Sequence, residues 1–187
     1  MIRYLHLDCE MGGRELKYSL LTAAFIVTDD QFRVLGKLDL KVKPDDGVYI
    51  VSGQGMSVNK INLQEHDKVA LPYKQAKPLL YDFLKTHASC RLTPVGHGVK
   101  GDITHLIGTL TSEGSWEQFC TYHYIDTSVV LQFLRACGKM PQDTDGSVEA
   151  LAKHFGVNVC PDKLHEALYD TELTMRVYER MVNLGKQ

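Results

Sequence analysis

The sequence predicts a mixed α/β fold on three observations: three strand-like segments open the chain, alternating strand and helix segments follow, and no repeat, low-complexity tract or linker interrupts them. Ile2 to Leu7 is a short, mostly apolar and aromatic run, read as a central strand ending near Glu10 with Gly12-Gly13 as its break. Leu20 to Thr28 reads as a second strand and Phe32 to Val42 as a third. Thr28-Asp29-Asp30-Gln31 between them supplies turn residues for an antiparallel hairpin. Pro44 to Asn62, with Ser52-Gly53-Gln54-Gly55 inside it, reads as a mobile loop beside something functional. From Tyr73 to Thr86, Ala76, Leu79, Leu80, Phe83 and Leu84 recur at helical spacing. Leu92 to Val95 gives a fourth strand. After Gly96-His97-Gly98 a helix starts near Asp102, with Ile103, Leu106, Ile107 and Leu110 on one face. Tyr122 to Ile125 gives a fifth strand, followed by a helix from Thr127 to Cys137 that Gly138 closes. Ser147 caps a helix through Phe155, and a last helix runs from about Glu166 to Leu184. The expected architecture is a five-stranded mixed sheet, antiparallel first and then parallel, flanked by helices.

A chain of 187 residues with 44% hydrophobic side chains supports one well-filled domain and excludes collagen-like, disordered and coiled-coil classes. Lys+Arg total 21 against Asp+Glu 23, a net charge of −2, so no basic coat holds a polyanion by counterion release alone. Asp8 interrupts the N-terminal apolar run before it reaches signal-peptide length, and no later run approaches ~18 residues. A soluble, cytoplasmic protein with no membrane partner is expected. The five cysteines are odd in number and widely spaced, without a CxxC, which argues against a disulfide framework. Cys120 and His123 have ligand-like spacing but lack the second pair that a structural zinc needs.

Asp8 and Glu10 stand two apart on the first strand, so both point to one face, about 7 Å apart, while Cys9 points to the other. Two acids so placed repel unless solvated, protonated or bridged by a cation. Asp102 opens a helix at the end of a strand, which suits an N-cap and equally suits the ligand position of an open α/β sheet. Asp170 lies early in the last helix, where the macrodipole favours acids. His165 precedes it by five residues, about 140° around a regular helix, so the two converge only if His165 sits in the entering loop and folds back.

Taken together, Leu7-Asp8-Cys9-Glu10-Met11-Gly12, Gly96-His97-Gly98-Val99-Lys100-Gly101-Asp102 and His165-Glu166-Ala167-Leu168-Tyr169-Asp170-Thr171 resemble the three motifs of the DEDDh exonucleases. These form the DnaQ-like branch of the ribonuclease H-like superfamily, which includes proofreading subunits, oligoribonuclease and RNase T. Asp126-Thr127 and Ser147 to Ala152 resemble flanking elements of that family. Gly98 and Gly101 depart from its common Asn and aromatic residue, and Asp-Cys-Glu-Met is more similar to the RNA-exonuclease branch.

The resemblance implies that residues 1–187 form a single exonuclease domain of ribonuclease H-like fold. It implies 3′–5′ hydrolysis of single-stranded RNA or DNA with a free 3′ end, releasing nucleoside 5′-monophosphates. Two divalent cations, Mg²⁺ or Mn²⁺, would be held by Asp8, Glu10, Asp102 and Asp170, with His165 as general base. Met11, Gly12 and His97 are the expected substrate-binding residues, and Met56, Val58 and Asn59 candidates for stacking at the terminal nucleotide. The chemistry is consistent with this set: phosphodiester hydrolysis needs a barrier lowered by about 20 kcal/mol. One histidine base contributes roughly 3 to 5 kcal/mol, and hard oxygen ligands for metal ions must supply much of the rest. A turnover-deficient nucleic-acid-binding module and a ribonuclease H-like endonuclease are the alternatives. RNA against DNA, a homodimer, and a polymerase or repair partner stay open.

Overall fold

A computed structural model describes residues 2–186 and sets a six-stranded sheet between two layers of helices. The chain opens with β1 (Arg3–Met11), β2 (Leu20–Asp29) and β3 (Val34–Lys43), an antiparallel meander. The turn between β2 and β3 is closed by Asp29, whose Oδ1 accepts from the backbone N–H groups of Gln31 (2.9 Å) and Arg33 (3.0 Å). Phe32 takes the left-handed conformation there (φ 59°), which excludes it from the strand and delays β3 to Val34.

The stretch read as a loop contains α1 (Gly53–Asn59) and is followed by α2 (Leu63–Val69). Ser52 caps α1 by accepting from the Gly55 N–H, and Asn62 caps α2 by accepting from Gln64 and Glu65. A two-residue strand, β4 (Leu71–Pro72), then pairs parallel to β3 and adds a sixth strand at the sheet edge. Next come α3 (Tyr73–His87), β5 (Thr93–Gly96), α4 (Lys100–Thr109) and α5 (Glu113–Phe119). The expected fifth strand shortens to β6 (Ile125–Asp126), leading into α6 (Thr127–Ala136), α7 (Val148–His154), a 3-10 turn at Pro161–Lys163, and α8 (Ala167–Gly185). Sheet order is β4-β3-β2-β1-β5-β6, with β5 parallel to β1 and β6 parallel to β5.

Alternation along β1 decides which layer each residue meets. Leu5, Leu7 and Cys9 enter the larger core with Phe25 of β2, Leu80 of α3 and Leu106 of α4. Tyr4, His6, Asp8 and Glu10 share the other face, where α8 lies across β1, β2 and β5. Tyr178 of α8 packs edge-on against Tyr4 and Phe32 there. The opposite side of α8 builds a second core, Leu173, Val177 and Met181 against Leu131 and Leu134 of α6 and Leu151 of α7. No helix among the described residues is long and apolar enough to cross a membrane.

Candidate active site

Asp8 and Glu10 reach the α8 face from the end of β1, and Asp102 joins them from the first turn of α4, directly after β5. Asp170 descends from the first turn of α8. Asp102 is buried, and the backbone N–H groups of Cys9 and of Asp102 itself turn toward its carboxylate. Asp8 is enclosed, and its Oδ2 is buried without a hydrogen-bond partner. Burial, followed by the charges of Asp102, Glu10 and Asp170, holds the Asp8 carboxyl well above the usual range. Glu10 is pushed up to about 8 by burial and then by Asp170 and Asp102. Asp102 is likewise pushed up to about 8, chiefly by burial and against the pull of its two backbone donors. Burial also raises Asp170, opposed by the backbone N–H of His165. The charges of Asp102, Glu10 and Asp170 thus oppose ionisation of Asp8, and those of Asp170 and Asp102 oppose ionisation of Glu10.

His165 completes the group from the loop before α8. Its backbone is left-handed (φ 71°), and its N–H donates to Asp170 Oδ2 at 2.9 Å. The preceding segment is tied to α8 as well, because the Tyr169 hydroxyl accepts from the Cys160 N–H at 2.6 Å. Donor atoms of Glu10, His165 and Asp170 lie within 4.8 Å of one another, close enough to share a single ion.

The residues expected to meet substrate take different places. Met11 lines a cleft of about 410 Å³ with Arg14, Tyr18, Gln54 and Val58, beside Glu10. The Gly12 backbone is engaged within the protein: its N–H donates to the Ser19 carbonyl (2.8 Å), and its carbonyl accepts from the Ser52 N–H (2.7 Å) and Oγ (3.0 Å). A Cβ on Gly55 would lie 2.4 Å from that carbonyl oxygen, so only glycine lets α1 dock on the end of β1. Asn59 is buried, and its Nδ2 donates to the Met11 carbonyl at 3.0 Å, a brace for the cleft rather than a nucleotide contact. His97 is half-buried at the end of β5, with Nδ1 2.8 Å from Thr127 Oγ1. Asp126 Oδ1 accepts from the Gly98 N–H at 3.0 Å and so pins the same turn. A second cleft, about 700 Å³, opens beyond His165 over Thr22, Asp39 and Lys41 and below α2.

Sequence reasoning missed His105, a buried α4 residue whose ring nitrogens face the Gly101 carbonyl (3.1 Å) and the Glu15 carbonyl (3.2 Å). It ties the segment after β1 to the helix that carries Asp102. Its place four residues after Gly-Val-Lys-Gly carried no signal, because the partner on β1's side is a backbone oxygen ninety residues away.

Comparison with solved structures identifies the architecture. The exonuclease I of E. coli bound to a dT13 oligonucleotide superposes with a TM-score of 0.75 at 16% identity, over 100% of this chain and 43% of that one. The fold is that of exonuclease I. The exonuclease I of Methylocaldum szegediense gives a TM-score of 0.74 at 19% identity, over 98% of this chain and 40% of its own. A zinc-bound E. coli exonuclease I complex with single-stranded DNA gives 0.75 at 16% identity, over 100% and 42%. The chain thus spans about two fifths of the exonuclease I chains it matches. No protein-family model and no curated protein matches it in sequence.

The donor set fits hard divalent cations. Carboxylates that raise Asp8 and Glu10, with an unpartnered Asp8 oxygen among them and a His165 nitrogen near Glu10 and Asp170, offer mostly hard oxygen donors to a cation. E. coli exonuclease I is itself known with zinc and without metal, in both cases with single-stranded DNA.

Proposed function

We propose that the chain is a metal-dependent 3′–5′ exonuclease of the DEDDh type, one domain over residues 1–187, acting on single-stranded nucleic acid. The observation that carries this reading is that Asp102 from α4, Glu10 from β1 and Asp170 from α8 all stand close enough to raise Asp8, with His165 beside Glu10 and Asp170. The four acids would hold two divalent cations, Mg²⁺ or Mn²⁺, which when bound activate water and neutralise phosphate charge. His165 takes the proton of the attacking water on an imidazole nitrogen. Its left-handed backbone and its N–H bond to Asp170 fix the direction from which the ring approaches. Met11 packs against the terminal nucleotide from the 410 Å³ cleft, where Arg14 supplies a cation for the phosphate backbone. His97, held through Nδ1 by Thr127, keeps Nε2 for a substrate oxygen. Gly12 serves the substrate side indirectly, as the docking point of α1.

The test uses 5′-labelled RNA and DNA oligonucleotides of equal sequence with Mg²⁺, Mn²⁺ or EDTA, alongside Asp8→Ala. A metal-dependent ladder shortening from the 3′ end and absent in the variant is expected. Internal cuts would replace this reading with an endonuclease, and intact oligonucleotides in every lane with a binding module.

A further inference from the structure

Among the described residues three buried side-chain polar atoms lack a hydrogen-bond partner: His6 Nδ1, Asp8 Oδ2 and Thr22 Oγ1. The Asp8 oxygen belongs to the acid cluster. The Thr22 hydroxyl has so far had no role. Thr22 lies directly opposite Glu10 in the β1–β2 register and opposite Lys41 in the β2–β3 register. Antiparallel partners share a face, with Cβ atoms about 4.5–5.5 Å apart, so the hydroxyl stands within reach of the longer Glu10 side chain. The register also shifts between Glu10 and Met11, and irregularities of this kind re-aim side chains beside active sites.

A β-branched residue suits a strand, but valine would fill this volume equally well and leave no unpartnered hydroxyl. Lys41, on the far side, is a donor only and cannot take the hydroxyl proton. Asp39 stands opposite Ala24, two pairs further along. Glu10 is therefore the carboxylate that faces Thr22 squarely.

We propose that Thr22 is a positioning residue of the acid cluster: its hydroxyl donates to the Glu10 carboxylate when a divalent cation is bound and fixes which oxygen Glu10 presents to that cation. The proposal rests on reading the cluster as a cation site. An ionised carboxylate offers about four acceptor directions, more than one cation uses, so the hydroxyl takes one that the ion leaves over. Groups that orient a ligand in this way typically govern metal affinity by 10- to 100-fold.

The experiment titrates Mn²⁺ alone, by calorimetry, into the wild type, Thr22→Val, Thr22→Ala and Thr22→Ser. The expected result is Mn²⁺ affinity weakened about 10- to 100-fold in Thr22→Val and Thr22→Ala and restored to within about threefold of the wild type in Thr22→Ser. On an oligonucleotide substrate the hydroxyl-free variants lose kcat with KM unchanged. Wild-type Mn²⁺ affinity in either hydroxyl-free variant overturns the positioning role while leaving the cation site intact. Failure of the wild type to bind Mn²⁺ overturns the cation-site reading itself, and the role of Thr22 with it.

Discussion

The backbone N–H of His165 donates to Asp170 Oδ2 at 2.9 Å, although five residues on a continuous helix stand about 140° apart. They meet because His165 is left-handed and lies outside α8, so the chain doubles back over the first turn. The donor is a backbone group, which separates what the His165 ring does from what its main chain does. His165→Ala keeps the bond to Asp170 and, if the ring is the base, loses it. Turnover is expected to fall about 10²- to 10⁴-fold while Mn²⁺ affinity stays within a few-fold. His165→Pro removes the N–H and cannot adopt φ 71°, so both quantities fall. Single-turnover rates paired with calorimetry check both variants.

Metal-stripped protein should be least stable in base. Glu10 and Asp102 each titrate near 8 in the fold, against about 4 in the unfolded chain. A raised folded pKa means that the native state keeps protons the unfolded chain has lost, so stability falls as pH rises from about 4 to about 8 and then levels. In EDTA, Tm is expected to drop by on the order of 5–10 °C between pH 5 and pH 9. Saturating Mn²⁺ should flatten or reverse that slope, because ion binding favours the ionised ligands. A flat profile in EDTA would show that the acids do not strain one another.

Asp8→Asn separates stability from chemistry. The substitution removes a carboxyl whose ionisation burial and three neighbouring acids oppose, and keeps the shape of the side chain. Its Tm in EDTA at pH 8 should exceed that of the wild type by several degrees. The Mn²⁺-dependent gain in Tm and all nuclease activity should disappear. Thermal melts with and without Mn²⁺ give both readings, and a lowered Tm would contradict the electrostatic argument.

The two glycines of α1 should respond differently to alanine. At Gly55 the new methyl would meet the Gly12 carbonyl, so a loss of about 1–3 kcal/mol is expected, with reduced activity as α1 lifts from β1. At Gly53 a Cβ meets nothing within 4 Å, so Gly53→Ala should be neutral or slightly stabilising. Urea unfolding of the pair tests the comparison.

The readable parts of the fold are those written in local periodicity. β1 opens with a strand-like apolar run, so the shared face of Asp8 and Glu10 could be stated from their two-residue spacing, and α3, α6, α7 and α8 carry apolar stripes or caps. By contrast, α1 opens Gly-Gln-Gly, a poor helix start, and is held by its contact with Gly12 forty residues earlier. β4 is two residues long and includes Pro72, so only its register with β3 makes it a strand. The same divide runs through the site. The five motif residues were legible because their chemistry is unusual where it stands. His105 and the bracing bond of Asn59 were not, because each acts through a backbone oxygen on another segment.

The last helix packs on the sheet with one face and on α6 and α7 with the other. Its first turn delivers Asp170 to the sheet, while Leu173, Val177 and Met181 anchor it to α6 and α7, apart from the core on the sheet's other side. Heat can therefore loosen this outer layer before the sheet melts. Inactivation would then precede bulk unfolding, and amides of α6 and α7, which carry none of the four acids, would report it by hydrogen exchange. For the proposed exonuclease, catalytic lifetime would then be a property of packing that never touches the substrate.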